Sequence, residues 1–156
     1  MPKLLCVCGP NGAGKSTFTR SIALRSNLLV IDPDQLAAEG LSPLDAGKAA
    51  ASMARLFLEK GISFARESTL TAKFDFKIIA EARKRGYEIE LVYIKLSSPD
   101  LALQRVAARV SRGGHDVPKD DIVRRYSKSL ENLHKYRNIF DKVTIIDNSD
   151  KQYTVD

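Results

Sequence analysis

The chain has 156 residues, of which 44% are hydrophobic and 28% charged, and carries a formal net charge of +6; these are values of an ordinary globular chain and exclude a disordered, collagen-like or disulfide-built one. Its longest apolar runs, such as "LLVI" and "ELVYIKL", fall far short of the ~20 residues that a membrane-spanning helix needs, and the N-terminus enters a strand pattern without a signal-peptide layout. One cytoplasmic domain over residues 1–156, with no membrane partner, is expected.

In chain order, "KLLCVCG" (3–9) reads as a buried strand, residues 15–25 as a helix and "NLLVID" (27–32) as a second strand, each bounded by glycine or turn residues. Cys6 and Cys8 alternate within the first strand and lack the second Cys or His pair of a zinc site, so they read as buried reduced thiols. Ser42 before Pro43, with Asp45 following, starts a helix that Gly61 closes. "ISFARES" (62–68) is the third strand. Phe74, Ile78, Ile79 and Ala82 recur at helical spacing until Gly86, and "YEIELVYIKL" (87–96) is the fourth strand. Ser98, Pro99 and Asp100 start another helix, which "RGGHDV" (112–117) breaks. Pro118, Asp120 and Asp121 open a long helix to about Phe140, "KVTIID" (142–147) is the fifth strand, and "QYTV" (152–155) reads as a short edge strand. Strands alternating with helices imply an α/β fold in three layers, with a mainly parallel five-stranded sheet.

Gly9, Pro10, Asn11, Gly12, Ala13, Gly14, Lys15 and Ser16 fit G-x-x-x-x-G-K-[ST] between a strand and a helix, the context that makes this pattern a phosphate-binding loop. The glycines let backbone N–H groups and the helix N-terminus face an anion. Lys15 is expected to reach the β and γ phosphates of ATP and the Ser16 hydroxyl to ligate Mg²⁺; Thr17 completes the nucleotide-binding stretch. A guanine-reading Asn-Lys-x-Asp element and a Leu-Ser-Gly-Gly signature are both absent from the sequence. A small-molecule kinase needs, besides ATP, a base for the acceptor hydroxyl, a magnesium environment, and cations over the moving phosphoryl group.

"VIDPDQL" supplies acids. In an open α/β sheet the ligand crevice lies beyond the carboxyl ends of the strands, where Asp32 and Asp34 follow strand two and alternation puts them on a similar side. Asp34 is assigned as the base and Asp32 as a supporting carboxylate at the magnesium ion; turn capping is the alternative role for both. "FARESTL" sets Glu67, Ser68 and Thr69 at the mouth of strand three, where they could orient an acceptor's hydroxyls, while alternation points Arg66 the other way.

Arg105, Arg109, Arg112, Lys119, Arg124, Arg125, Lys128, Lys135 and Arg137 crowd one third of the chain. "RVSRGGHDVPKDDIVRRY" has the layout of an arginine-rich helical lid, about 105–128, hinged at Gly113 and Gly114. Guanidinium groups on a closing segment stabilise the charge that spreads over a transferring phosphoryl group. Adjacent helical residues face about 100° apart, so one of Arg124 and Arg125 is expected at the phosphates, and Arg109 or Arg112 supplies the other. For His115 a turn-stabilising hydrogen bond is the expected role. The same basic lid would serve a nucleic-acid 5′-hydroxyl kinase, but the aromatics interleaved with the basic residues are limited to Tyr126 and Tyr136, which argues against a nucleic-acid partner. A nucleotide-dependent ATPase switch without an acceptor is the remaining class.

"GPNGAGKST", "IDPD", "ARESTL", the "RV…RV…RGGHDVP" run and "IVRRYSKSLENL" together resemble the zeta-toxin-like small kinases, over nearly the whole chain. The phosphate loop alone is generic; the arginine–Gly-Gly-His–Val-Pro lid together with the early Asp pair is more specific. The resemblance implies an ATP-dependent kinase that phosphorylates a sugar hydroxyl of UDP-N-acetylglucosamine, acting as the toxin of a toxin–antitoxin pair, with an antitoxin as protein partner. On that resemblance Lys15 and Ser16 hold ATP and Mg²⁺, Asp34 matches the base, Glu67 the acid that contacts the sugar, and Arg109 or Arg112 with Arg124 or Arg125 the phosphate-sensing arginines. "FARESTL" stands where these kinases more usually carry a Gly-Thr-x-Arg-type element.

Overall fold

The sheet forms around the most apolar stretch of the chain. In the computed structural model, which describes residues 1–150, strand β1 (Lys3–Cys8) lies at the centre of five parallel strands ordered β2-β3-β1-β4-β5. The others are β2 (Leu29–Ile31), β3 (Phe64–Ser68), β4 (Glu88–Lys95) and β5 (Lys142–Asp147). Parallel strands buried on both faces read as continuous apolar runs. Accordingly Leu4, Cys6 and Cys8 enter one core cluster, and Leu5 and Val7 enter the other.

Helices α3 (Pro43–Lys60) and α4 (Lys73–Lys84) cover the first face through Ala50, Ala54, Leu58, Ile78, Ile79 and Ala82. Helices α1 (Lys15–Ser26) and α5 (Pro99–Ser111) cover the second through Phe18, Ile22, Ala102 and Val106. Helix α6 (Lys119–Tyr136) gives Ile122 and Tyr126 to the second cluster and Leu133 to the first, with Leu130 packed against both. The three-layer α/β architecture expected from the alternation is the one observed. Both cysteines are buried free thiols, and desolvation pushes Cys8 up to about 12, which suppresses the reactive thiolate.

The helix starts behave as their sequences dictate: Ser42 Oγ accepts from Asp45 N–H at 3.1 Å and Ser98 Oγ from Leu101 N–H at 3.1 Å, the side-chain capping that satisfies orphan donors. Two details differ from expectation. Pro33–Ala38 form a short helix, α2, because Asp32 acts as N-cap and Pro33 occupies its first turn. The last long helix ends at Tyr136, and Arg137–Ile139 tighten into a 3₁₀ turn before β5. The edge strand expected at 152–155 lies outside the described residues. Among the described residues no helix is long and apolar enough to cross a membrane.

Candidate functional site

The site grows from the carboxyl end of β1. Gly9 allows the chain to leave the strand against the β4 backbone: a Cβ there would stand 2.2 Å from Ile94 O, an approach open only to glycine. The loop then curls through Gly12 and Gly14 into α1, and Lys15 folds back so that Nζ donates to Gly9 O and Pro10 O at 3.0 Å each. Its ammonium thus stands inside the loop. Asn148, just past β5, braces the same loop by donating Nδ2 to Ala13 O at 2.7 Å.

Beside the loop, Ser16 Oγ donates to Glu67 Oε1 at 3.1 Å and stands 3.4 Å from Asp32 Oδ2. Glu67 is buried, on β3 next to the central strand. Burial, and then the neighbouring Asp34 carboxylate, raise Asp32 above the usual carboxylate range, so this corner is short of positive charge. Oxygen donors of a hydroxyl and carboxylates suit a hard cation such as Mg²⁺, which keeps several waters and substrate phosphates as its other ligands; among the described residues no group of three or more His, Cys, Asp or Glu forms a metal cage.

Asp34 reaches the site by a different route from the one its sequence suggested. It sits in the first turn of α2 rather than on an extended strand end, and its N–H donates to Asp32 Oδ1 at 3.0 Å. The capping role considered for these aspartates is therefore real for Asp32, while Asp34 keeps its carboxylate exposed toward the cleft.

Asn11, Gly12, Lys15, Ser16, Asp32, Asp34, Glu67, Ser68, Thr69, Arg109 and Arg125 all line one cleft of about 240 Å³. The arginines divide cleanly. Arg109 from α5 and Arg125 from α6 line the cleft. Arg112, the C-cap of α5, is exposed and outside the lining, and Arg124 is also outside it, with its guanidinium spent on Asp121 at 2.8 Å. Gly114 makes the Arg109 placement feasible: a Cβ there would lie 2.4 Å from Arg109 Cγ. Arg109 Nε donates to His115 O at 3.0 Å, so it is the backbone of His115 that stabilises the turn. Thr17 is exposed on the first turn of α1, outside the cleft lining.

Sequence reasoning missed four residues here. Arg66 obeys alternation, facing α4 rather than α1, yet its long side chain still lines the cleft beside Asp75, with which it forms an ion pair. Asn132 on α6 donates Nδ2 to Leu70 O at 2.8 Å, and Leu70 is fully buried with a left-handed φ of 61°, so a buried amide fixes the strained turn after Thr69. Arg105 packs its Cβ against Gly12 and donates to Asp150 O at 3.1 Å. Asn148 is the fourth. A pair of Asn side chains inside helical or loop sequence carries no pattern that would flag it; the Arg66–Asp75 pair was legible only as an arginine on a strand facing a helical aspartate.

Comparison with known proteins places the fold and the family. The chain is 33% identical over 130 residues to an uncharacterized protein of Haemophilus influenzae, a match covering 80% of this chain and 92% of that one. Its fold is similar to that of the PezAT chromosomal toxin–antitoxin system of Streptococcus pneumoniae, with a TM-score of 0.73 at 20% identity over 99% of this chain and 70% of that one. A gluconokinase of Sinorhizobium meliloti is similar at a TM-score of 0.59 and 19% identity, covering 96% and 84% of the two chains. The zeta toxin family model matches residues 1–156, the full length, and the chain is a member of the zeta toxin family.

Proposed function

We propose that the protein is an ATP-dependent kinase that transfers the γ-phosphoryl group to a hydroxyl of a small molecule, with a nucleotide-sugar of the UDP-N-acetylglucosamine kind as acceptor. The observation that carries this reading is convergence: a phosphate loop, a hydroxyl–carboxylate corner, an exposed carboxylate and two arginines from separate helices meet in one cleft. In such a site positioning and electrostatics do most of the catalytic work.

Lys15 and the loop N–H groups hold the triphosphate, and Ser16 with Asp32 and Glu67 holds Mg²⁺, which when bound neutralises charge on the phosphates. Asp34 takes the proton of the acceptor hydroxyl as that oxygen forms its bond to the γ-phosphorus. The bond from that phosphorus to the β–γ bridging oxygen breaks, and ADP leaves with the electron pair. Arg109 and Arg125 stabilise the charge on the group in flight. Ser68 and Thr69, which line the same cleft, flank the acceptor side. Membership of a toxin family, and the fold shared with a toxin–antitoxin system, support an antitoxin as protein partner.

The test is ATP consumption by the purified protein against nucleotide-sugars, free sugars, nucleosides and 5′-hydroxyl oligonucleotides, with mass analysis for an added phosphate. Asp34→Asn should lower transfer by roughly 10³-fold while nucleotide affinity stays within about twofold, because no phosphate contact is removed. Hydrolysis that no acceptor accelerates, unchanged by Asp34→Asn, would sink the kinase reading.

A further inference from the structure

Arg66 and Asp75 line the cleft but belong neither to the phosphate loop nor to the lid. Strand pairing sets Arg66 opposite Ile31, and although its Cβ faces α4, its side chain reaches the cleft that Asp32, Asp34, Ser68 and Thr69 also line. Both side chains are nearly buried, with 11% and 4% exposure. The Phe74 ring lies 5.2 Å from the Arg66 guanidinium and limits its movement. Asp75 is fully engaged: Oδ1 accepts from Arg66 and Oδ2 from the Ala72 N–H at 3.1 Å. Arg66 therefore presents N–H groups whose charge is cancelled on the spot.

The remaining charges in the cleft have assignments already. Lys15, Arg109 and Arg125 serve the phosphates, Asp32 and Glu67 the cation, and Asp34 the hydroxyl proton. With these in use, the acceptor end carries the negative charge of Asp34 and no surplus cation. A carboxylate or phosphate beside the reacting hydroxyl would meet no net positive partner, and burying an unpaired charge is costly. Resting on the kinase reading above, we propose that the Arg66–Asp75 pair is a charge filter that selects acceptors whose reacting end is an uncharged, polyhydroxylated moiety and rejects hydroxy acids. Any charged groups of the acceptor then lie outside the cleft.

The filter is tested with matched probes: D-glucose, its acid D-gluconate, and D-glucosamine in its ammonium form. Binding is measured by calorimetry in the presence of ADP and Mg²⁺, and phosphate gain by mass after incubation with ATP. Asp75→Asn leaves Arg66 uncompensated and retains an amide oxygen for the Ala72 N–H. It should tighten D-gluconate binding by about tenfold or more, which corresponds to about 1.4 kcal/mol, and the double variant Arg66→Gln/Asp75→Asn should lose that gain. Arg66→Gln alone leaves Asp75 uncompensated and should shift preference toward D-glucosamine by a similar factor, which keeps the test decisive if Asp75→Asn does not fold. Wild-type protein that binds D-gluconate as tightly as D-glucose, or variants that leave these preferences unchanged, would overturn the filter. The two levels separate: transfer of phosphate to D-gluconate by the wild type defeats the filter and leaves the kinase reading standing, whereas the predicted binding shifts with no phosphate gain on these probes or on any acceptor of the nucleotide-sugar, sugar, nucleoside and oligonucleotide panel support the filter and defeat the kinase reading.

Discussion

The two ends of the sheet are built on opposite rules. At the amino end, among the described residues, the buried side-chain polar atoms are matched: the Tyr87 hydroxyl lies 2.9 Å from Phe57 O and 2.8 Å from Ile62 O, and Asp141 accepts from Ile89 N–H and from Arg83. The buried polar atoms left without a partner among the described residues are Asn11 Oδ1, Arg66 Nε, Arg105 Nη1 and Asn148 Oδ1, and all belong to the phosphate loop, its immediate neighbours or the cleft. An unmatched buried polar atom costs stability. That cost is tolerated at the end where a ligand arrives, and the difference separates what holds the fold from what the fold is for.

The sharpest way to break the comparison is at the arginines. Arg125→Ala should lower turnover by about 10²-fold or more, the scale of losing a donor to a developing anion, with little change in melting temperature because the side chain is only half-buried. Arg124→Ala, one residue away, should stay within about twofold, since it removes only a surface ion pair. Steady-state kinetics and thermal unfolding on both variants decide it. Equal losses would mean that α6 rotates on closure and brings the other arginine inward.

At the amino end the effect should appear in stability alone. Tyr87→Phe removes the hydroxyl that two half-buried carbonyls share and should cost about 1–2 kcal/mol, lowering the melting temperature by roughly 3–6 °C without changing turnover. A fall in turnover with an unchanged melting temperature would show that the two ends are coupled.

Much of this was legible in the sequence because local rules and global fold agree there. Apolar runs bounded by Gly, Ser-Pro caps and the glycine pattern after β1 gave each strand and most helices, and the nucleotide loop, since each depends on neighbours within a few residues. What stayed hidden depends on distance. The left-handed Leu70, held by Asn132 from a helix more than sixty positions on, has no local signature, because leucine seldom adopts that conformation. Short α2 was masked because "VIDPD" is equally a strand end and an N-cap, and the cap won once Pro33 fixed φ for a first turn. Arg66 points as alternation expects, but its place in the cleft stayed hidden because alternation specifies where Cβ points, not how far a guanidinium reaches.

The smallest expected effect is also the one that tests the comparison on both ends at once, through two aspartates shifted in opposite directions. Asp32 is raised by burial and by Asp34, so its ionised form costs stability; that cost is present above its folded-state pKa and disappears as pH falls through that value toward the ordinary one. Asp141 is lowered by the Ile89 N–H and by Arg83, so it stabilises the protein above the ordinary carboxylate range and loses that contribution as pH falls through its depressed folded value. Asp32→Asn should therefore raise the melting temperature of the ligand-free protein at neutral pH slightly, and Asp141→Asn should lower it. Both differences should shrink on acidification, Asp32's first because its pKa is the higher. Adding Mg²⁺ and ADP should reverse the sign for Asp32 alone, because cation binding requires the ionised carboxylate. A stabilising Asp32→Asn that persists with Mg²⁺ and ADP bound would remove Asp32 from the cation's ligands and leave Ser16 and Glu67 to hold it.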